Sequence, residues 1–564
     1  MTHARDAKAP DGDPADGDPA DGGPAGGDSA GGDPAGGDPA PERGRPQPGG
    51  WEPEVEEIRR RRDLALEMGG PDKVRRQSDA GRLTVRERIA RLADPGSFDE
   101  IGALTGFGQY GEDGRLVAMT PANFVAGTAS IGGVRVMIGA DDFTVRGGSG
   151  DAAIHAKQVF SEQYAGEMRL PVVRLLDGAS GGGSVKMTLD TGYTYVPVNP
   201  GWDAVVANLS RVPVIAACLG PVVGLGAARL VMSHLAVLVT GVGQLFTAGP
   251  PVVLGGTGED LTKEELGGAA VHRRNGTIER FAGSEDEAFA IIAGFLSYLP
   301  ASVHAVPPVS GCADPADRRE ESLISAVPRD PRQPYRIGQV LDAIFDHGSV
   351  FRYAEYGGAT VTALARLDGH SVGVIATDPY RGTTMSLEGA QAVTRLADLC
   401  ETFHLPIVSL TDQGGITIGR VAEERGTIRA AARAIAALYQ ARVPQAELIV
   451  RRVYGVAGAG MINRHRVGRS WAWPSGDWGS LPVHGGVEAA FRARLASAAD
   501  PEEEARLIRG RLAALTSPFR TAERFGVQDL IDPRDSRPLL CAWVRDAYRV
   551  LPELTGPPSF GTRP

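Results

Sequence analysis

Short apolar runs and helically spaced apolar positions alternate along most of the chain. From Trp51 the apolar residues recur every three or four positions, which predicts a helix, and a second helix is expected over 84–92, where the chain opens on a Thr-x-x-Glu capping-box pattern. Apolar runs at 124–131 and 134–138 predict strands. This alternation of strands and helices is typical of an α/β fold.

Glycine-rich segments separate some of these elements, and a similar order of strands and helices is predicted in both halves of the chain. The glycine-rich segment 147–150 is expected to open a helix that runs to Glu167. The second half is predicted to contain, in order, a helix over 339–344, strands over 360–367 and 371–376, and a helix over 387–403.

Two pairs of strand-glycine motifs relate the halves directly. The Leu-Pro segment 170–183 corresponds to 405–419 in the second half, and the Val-Pro segment 212–227 corresponds to 443–460. Each is a short apolar strand that ends in glycine-rich sequence. Because both pairs recur at nearly the same offset, we predict one domain duplicated within the chain.

The length and composition give this duplication its boundaries. A chain of 564 residues with a hydrophobic fraction of 42% exceeds what one core usually serves. We predict an N-terminal domain over 51–305, a Pro-, Asp- and Arg-rich linker over 306–334, and a C-terminal domain over 335–564. Residues 1–50 repeat Gly, Asp, Pro and Ala, and we expect them to form a disordered acidic tail.

The remaining composition excludes several classes of function. The first 50 residues carry ten acidic and four basic side chains, so the rest accounts for only −4 of the net charge of −10 and gives no footprint for nucleic acid. No apolar run approaches the roughly 20 residues that cross a bilayer, and no signal peptide follows Met1, so we predict a cytoplasmic protein. The four cysteines and ten histidines form no ligand spacing, which predicts no metal.

Each strand-glycine motif is suited to holding negative charge. Glycine lets the backbone approach a ligand closely, and the first N–H groups of the following helix lack intrahelical partners. Two such turns suggest two anion-stabilising sites that face one reaction. For any single segment, tight packing of helix on strand is an alternative explanation of the glycines.

Many further segments resemble the carboxyltransferase β subunits of biotin-dependent acyl-CoA carboxylases. They include Asp-Phe-Thr-Val-Arg-Gly-Gly-Ser at 142–149 and Ala-Glu-Arg-Phe-Gly-Val-Gln-Asp-Leu-Ile-Asp-Pro at 522–533. The others are 81–89, 94–98, 248–252, 258–259, 265–269 and 365–369. The likeness runs from about residue 51 to the end of the chain, with the segments in the family's order.

The resemblance implies two tandem crotonase-like domains, each a ββα spiral, in a hexamer built as a trimer of dimers. It also implies that CO2 passes from carboxybiotin to an acyl-CoA through a thioester enolate, with backbone N–H groups holding both anions. No carrier domain and no ATP-grasp segment is recognisable in the sequence, so carboxybiotin is expected from a separate biotin carboxylase and carrier subunit.

Site residues follow from the resemblance by position. The enolate hole falls at Leu225 and Gly226, and the biotin ureido hole falls at Val456 and Ala457. The CoA side is expected to include Gly147, Gly148, Ser149, Gly182, Gly183, Lys186 and Ala459, and the biotin-side loop to include Gly414, Gly415 and Gly455. Ala459 corresponds to a position that the family associates with substrate choice.

The chain departs from the family pattern at both holes. Gly224-Leu225-Gly226 and Gly455-Val456-Ala457 carry a larger side chain where relatives have glycine or alanine, so each side chain must point away from the ligand. Two alternatives to the carboxyltransferase stay open. One is a decarboxylase of malonyl-type CoA esters, and the other is a non-catalytic scaffold subunit of a carboxylase complex.

Overall fold

The computed structural model describes residues 49–150, 153–178, 189, 192–194, 196, 198–466, 468–481, 483–513, 515–559 and 561–562. The predicted acidic tail, apart from its last two residues, lies outside this range. From Glu56 onward the described residues form one compact unit. The predicted domain boundaries near 305 and 335 stay predictions.

Short runs of Val, Ile, Leu and Ala form the strands, because branched apolar residues fit a pleated and buried surface. The strands are β1 Asp99–Ile101, β2 Gly106–Tyr110, β3 Leu116–Pro121, β4 Phe124–Ile131, β5 Val134–Asp141, β6 Val172–Leu176, β7 Val214–Cys218, β8 Pro221–Val223, β9 Leu235–Val239, β10 Gln244–Phe246, β11 Arg280–Ala282, β12 Phe351–Arg352, β13 Thr360–Leu367, β14 His370–Thr377, β15 Ile407–Gln413, β16 Gln445–Tyr454, β17 Arg469–Ala472, β18 Asp477–Gly479 and β19 Asp529–Leu530.

The helices connect these strands and cover the sheets. They are α1 Glu52–Leu66, α2 Pro71–Asp79, α3 Val85–Leu92, α4 His155–Met168, α5 Trp202–Asn208, α6 Leu225–Val231, α7 Pro250–Thr257, α8 Lys263–Gly267, α9 Ala269–His272, α10 Glu285–Leu296, α11 Ile337–Ile344, α12 Leu387–Thr402, α13 Arg420–Glu424, α14 Thr427–Gln440, α15 Gly455–Ala459, α16 Val483–Ala490, α17 Arg492–Ser497, α18 Pro501–Ala513, α19 Pro518–Ala522 and α20 Ser536–Val550. No helix among the described residues is long and apolar enough to cross a membrane.

Both halves build the same sheet. The first has strand order β1-β4-β5-β6-β7-β9-β11, and the second has β12-β13-β14-β15-β16-β17-β19. In each, the first two pairings are antiparallel and the following ones are parallel. This correspondence confirms the predicted α/β fold and its internal duplication.

Most of the predicted elements that precede the first site are confirmed. Thr84 caps α3, with its side chain accepting from the Glu87 backbone and the Glu87 carboxylate accepting from the Thr84 backbone. The helix expected to open at 147–150 is wrong at its start, because α4 begins only at His155. Arg146, Gly147 and Gly148 instead have φ of 51°, 64° and 68°, a left-handed turn that cannot continue into a right-handed helix.

Buried contacts join the two halves within the compact unit. The largest apolar core includes Val237 of β9 and Val393 of α12. The buried Tyr353 hydroxyl donates to His234 O at 2.7 Å, and Arg395 pairs with Glu279 at 3.1 Å. The two sheets therefore share one core.

Candidate active site

The first glycine turn connects β8 to α6. Gly224 has φ 59° and ψ −116°, a conformation that favours glycine, and its N–H donates to Phe246 O of β10 at 3.2 Å. Ala228 N–H donates to Gly224 O at 3.0 Å and closes the first helical turn. The N–H groups of Leu225 and Gly226 belong to the part of the helix that has no intrahelical acceptor. The turn therefore offers two adjacent backbone donors.

The second turn repeats this geometry in the other half. Gly455 has φ 59°, as Gly224 does, and it follows the last residue of β16. The N–H of Gly460 donates to Val456 O at 3.0 Å and ends the short helix α15. The strand pairing is also equivalent, since the end of β16 pairs with β18 as β8 pairs with β10. The N–H groups of Val456 and Ala457 therefore occupy the place that Leu225 and Gly226 have in the first half.

The larger side chains at the two turns stay out of the core. Val456 is 63% exposed, while its neighbour Ala457 is fully buried. Leu225 is half-buried, and the adjacent Gly226 is buried. The expected departure from the family pattern thus leaves the backbone donors in place, and Val456 points largely to solvent.

The predicted biotin-side loop lies beside the second turn. Gly414 N–H donates to Thr383 O at 2.7 Å, and Gly415 O accepts from Met385 N–H at 2.9 Å. Gly415 has φ 115°, and a Cβ placed on it would lie 4.0 Å from Tyr454 O, directly before Gly455. The fold brings the two glycine segments together from separate strands.

The predicted CoA-side residues are described only in part. A Cβ on Gly178 would lie 2.7 Å from Gly147 O and 2.9 Å from Gly148 Cα, so the left-handed turn packs against the end of β6. Ser149 O accepts from the Asn123 side chain at 2.6 Å. Gly182, Gly183 and Lys186 lie outside the described residues. Ala459 is exposed at the end of α15, on the same short helix as the second pair of donors.

A buried carboxylate supports each turn, and sequence reasoning did not single out either one. In the second half, Asp412 is fully buried between Arg451, at 3.1 Å, and Arg452, at 2.8 Å. At this point the pairing of β15 with β16 shifts: Thr411 faces Ile449, but Gln413, two residues later, faces Val453, four residues later. The carboxylate holds the resulting bulge, and β16 leads from it into the second turn.

Asp177 has the equivalent position in the first half, but its partners are distant in sequence. Arg88 Nη1 donates to it at 2.6 Å and Arg82 Nη2 donates at 3.0 Å. Arg88 also pairs with Glu285 at 2.7 Å. A Cβ on Gly220 would lie only 1.9 Å from Asp177 Oδ1. The residue directly before β8 therefore has to be glycine, because the backbone there lies against the carboxylate.

The C-terminal end of α6 has a second anchor. Arg174, buried on β6, donates to Arg229 O at 2.9 Å and to Met232 O at 2.7 Å, which satisfies carbonyls at the helix end. Its guanidinium also pairs with Glu162 of α4 at 2.7 Å. Burial by itself would raise the pKa of Glu162, but Arg174 and Arg229 lower that pKa to about 2. This ion-pair network fixes the helix that starts with the first pair of donors.

The pKa of another carboxyl near the first turn is raised, whereas that of Glu162 is lowered. Burial raises the pKa of Asp141 to about 6, although Arg229 favours its charged form. Its Oδ2 accepts from the Asp177 N–H at 3.2 Å. Within the described residues, no group of three or more His, Cys, Asp or Glu is placed to hold a metal ion.

Comparison with known proteins agrees with this geometry. The chain is 31% identical over 503 residues to the propionyl-CoA carboxylase carboxyltransferase subunit of Haloferax mediterranei, covering 88% of this chain and 96% of that protein. It is 29% identical over 515 residues to the methylmalonyl-CoA decarboxylase subunit alpha of Propionigenium modestum, covering 88% of this chain and 95% of the other.

A solved structure gives the same result for the fold. The transcarboxylase 12S hexamer, with methylmalonyl-coenzyme A and methylmalonic acid bound, matches with a TM-score of 0.79 and 29% identity, over 89% of this chain and 96% of that one. This likeness confirms the predicted tandem crotonase-like domains, and the relatives confirm the prediction of a carboxyltransferase enzyme. Residues 76–546 match the carboxyl transferase domain, and the chain therefore belongs to the carboxyl transferase family.

Proposed function

We propose that this chain is the carboxyltransferase subunit of a biotin-dependent acyl-CoA carboxylase. It would move CO2 from carboxybiotin to the α-carbon, or a vinylogous carbon, of an acyl-CoA. The observation that carries this proposal is the matched pair of glycine turns, at Gly224 and Gly455, each placing two backbone N–H donors at a helix start. A reaction that develops two anions needs two such sites.

The first turn would act on the thioester. When an α-proton leaves an acyl-CoA, negative charge collects on the thioester oxygen, and the N–H groups of Leu225 and Gly226 are the donors that we assign to it. These donors are held in place before the reaction starts, so little reorganisation is needed as the charge appears. Arg174, through the far end of α6, keeps the helix from moving away.

The second turn would act on the biotin side. The residues around it fit a flat, weakly basic ring, because Gly414, Gly415 and Gly455 present backbone without side chains. The N–H groups of Val456 and Ala457 would stabilise negative charge on a ureido oxygen. Bound carboxybiotin would supply both the CO2 and the group that accepts the α-proton.

The wider assembly is part of the same proposal. The two turns lie in different halves, and the 12S relative is a hexamer that binds its substrate in a multienzyme core. We assign this chain a homohexamer, a separate biotin carboxylase and biotin carrier subunit as partners, a cytoplasmic location, and no nucleic-acid or membrane ligand.

A decarboxylase is the second candidate, favoured by one observation. Relatives named methylmalonyl-CoA decarboxylase subunit alpha, from Propionigenium modestum and Veillonella parvula, are as similar in sequence as several propionyl-CoA carboxylase chains. The same two anion holes would serve removal of the carboxyl group. A scaffold subunit would keep the fold and the partner contacts but would turn nothing over.

One experiment separates the three. The purified protein is incubated with malonyl-, methylmalonyl- and longer or branched carboxyacyl-CoA esters, with and without free biotin, and loss of the carboxyl group is followed. Biotin-stimulated loss supports the carboxyltransferase and identifies the acyl group. Loss that does not depend on biotin favours the decarboxylase. No loss across the panel, repeated with a biotin-loaded carrier, rejects both catalytic assignments.

A further inference from the structure

A cavity of about 550 Å³ lies between the two halves of the chain, away from the glycine turns. Its walls come from α12 and α14, from the segment at Gly276, and from the last residue of α6, Val231. Its volume is within the range of small-molecule sites. None of the residues that we assign to the glycine turns lines it, so it is a separate feature of the fold.

Arginines give this cavity a surplus of positive charge. Arg429 and Arg433 are four residues apart on α14, and both line the cavity. In the part of the chain that the structure describes, neither guanidinium has a carboxylate within 4.0 Å. Two other arginines at the cavity are paired, Arg425 with Glu388 and Arg395 with Glu279. The unmatched charge therefore comes from the α14 pair.

This spacing carries an energetic cost in the empty protein. Like charges at i and i+4 on a helix repel one another and destabilise it slightly. An anion between Arg429 and Arg433 would remove that repulsion and would accept hydrogen bonds from both guanidinium groups. Arginine forks match phosphate oxygens in geometry as well as in charge.

The remaining wall of the cavity is partly apolar and also carries threonine and glutamine side chains. Val231, Leu387 and Ala430 line it together with Tyr356, whose side chain is almost fully buried. A cavity that combines an arginine pair with apolar side chains suits a molecule with a phosphate at one end and a less polar body at the other. We propose that this cavity binds a phosphate-bearing small molecule through Arg429 and Arg433.

The position of the cavity gives this ligand a route to the first turn. Val231 is the last residue of α6, and Leu225 is the first, so the cavity and the proposed enolate donors are at opposite ends of one helix. At 1.5 Å per residue, the separation along the helix is about 9 Å. A ligand in the cavity therefore contacts the helix that carries the donors without occupying their site.

Pyrophosphate is a suitable first probe, and binding is the readout, so the test does not depend on carboxyl transfer. Calorimetric titration of the full chain is expected to show binding that weakens about tenfold or more in Arg429→Gln/Arg433→Gln, since each variant residue loses a charge-assisted hydrogen bond. A matched control, Arg506→Gln/Arg549→Gln, removes the same charge from exposed arginines outside the cavity and is expected to bind as the wild type does.

Two results would overturn the proposal: no pyrophosphate binding to the wild type, or equal weakening in both double variants. Thermal unfolding checks that each variant is folded. Competition then identifies the source of the phosphate. If free CoA displaces pyrophosphate, the occupant is the phosphorylated end of a CoA ester, and if it does not, the occupant is a separate phosphorylated effector.

Discussion

The two halves of this chain share a strand order but secure their glycine turns with different buried chemistry. In the first half, Asp177 is held by arginines that come from α3 and the segment before it, and α6 is anchored at its far end by Arg174. In the second half, Asp412 is held by two arginines of the strand that leads directly into the turn.

The ion pair that anchors α6 in the first half has no counterpart in the described residues of the second half. Counted from the two Leu-Pro pairs, Arg174 corresponds to Ser409 and Glu162 corresponds to Ala397. Within the described residues, the Ser409 hydroxyl contacts the Thr411 hydroxyl, at 3.1 Å. The shorter helix α15 therefore lacks the Arg174 type of anchor, and its geometry depends on the bulge in β16. The two halves thus have the same backbone geometry at their glycine turns but support it with different side chains.

The largest expected effect is on the support of the second turn. Asp412→Asn would leave one buried guanidinium group, of Arg451, and one half-buried one, of Arg452, without a carboxylate, and we expect the free energy of unfolding to fall by about 3 to 5 kcal/mol. Urea denaturation measures this. As a control, Asp529→Asn breaks the half-exposed pair with Arg469, and a loss below about 1 kcal/mol is expected. Similar losses in both variants would show that Asp412 is not a special support.

The next effect is on the first pair of donors. Leu225→Pro removes one N–H at the first helical position, where proline is tolerated, and Leu225→Ala keeps it. We expect kcat to fall by roughly 10² to 10³ in the proline variant, with a much smaller change in the alanine variant. Steady-state rates on the best substrate of the panel measure the difference. Equal rates in the two variants would exclude this N–H from catalysis.

Glu162 gives a pH dependence that belongs to the first half alone. Its pKa is about 2 in the folded protein against an ordinary value of 4.5, so it stabilises the fold above pH 4.5, and this contribution is lost as the pH falls towards 2. The difference corresponds to roughly 3 kcal/mol. Glu162→Gln should therefore be less stable than the wild type at pH 7, with the gap narrowing below pH 4.5. A gap that does not change with pH would refute the assignment.

The ionisation of Asp141 should change the stability of the fold in the opposite direction to that of Glu162, and by slightly less. Its folded pKa of about 6 exceeds the ordinary 3.8, so ionisation costs the folded state stability as the pH rises from about 4 to 6. Asp141→Asn keeps an acceptor for the Asp177 N–H and avoids the buried charge. We expect it to be more stable than the wild type above pH 6, by up to about 3 kcal/mol, and equally stable near pH 4. Denaturation at several pH values tests this, and a variant that is less stable at every pH would contradict it.

The sequence carries the repeat and the glycine turns, but not their supports. The apolar runs and the capping box of α3 are local signals, and the structure has them where they were predicted. The start of α4 could not be predicted, because a glycine-rich segment that precedes a helix has the same sequence pattern as one that forms a left-handed turn. Arg88 and Glu285 are 197 residues apart in sequence, and no local pattern predicts that Arg88 pairs with both Glu285 and Asp177. A signal was present for the carboxylates themselves, since both follow a Leu-Pro strand at the same distance.

Variants at Val456 test directly whether the second turn is the biotin-side anion site. Val456→Pro removes its N–H, while Val456→Ala keeps the N–H and trims an exposed side chain. The measurement is biotin-stimulated loss of the carboxyl group from the best carboxyacyl-CoA of the panel. We expect the alanine variant to retain stimulation by biotin and the proline variant to lose it. Equal stimulation in both variants would show that the Val456 N–H does not serve the biotin side.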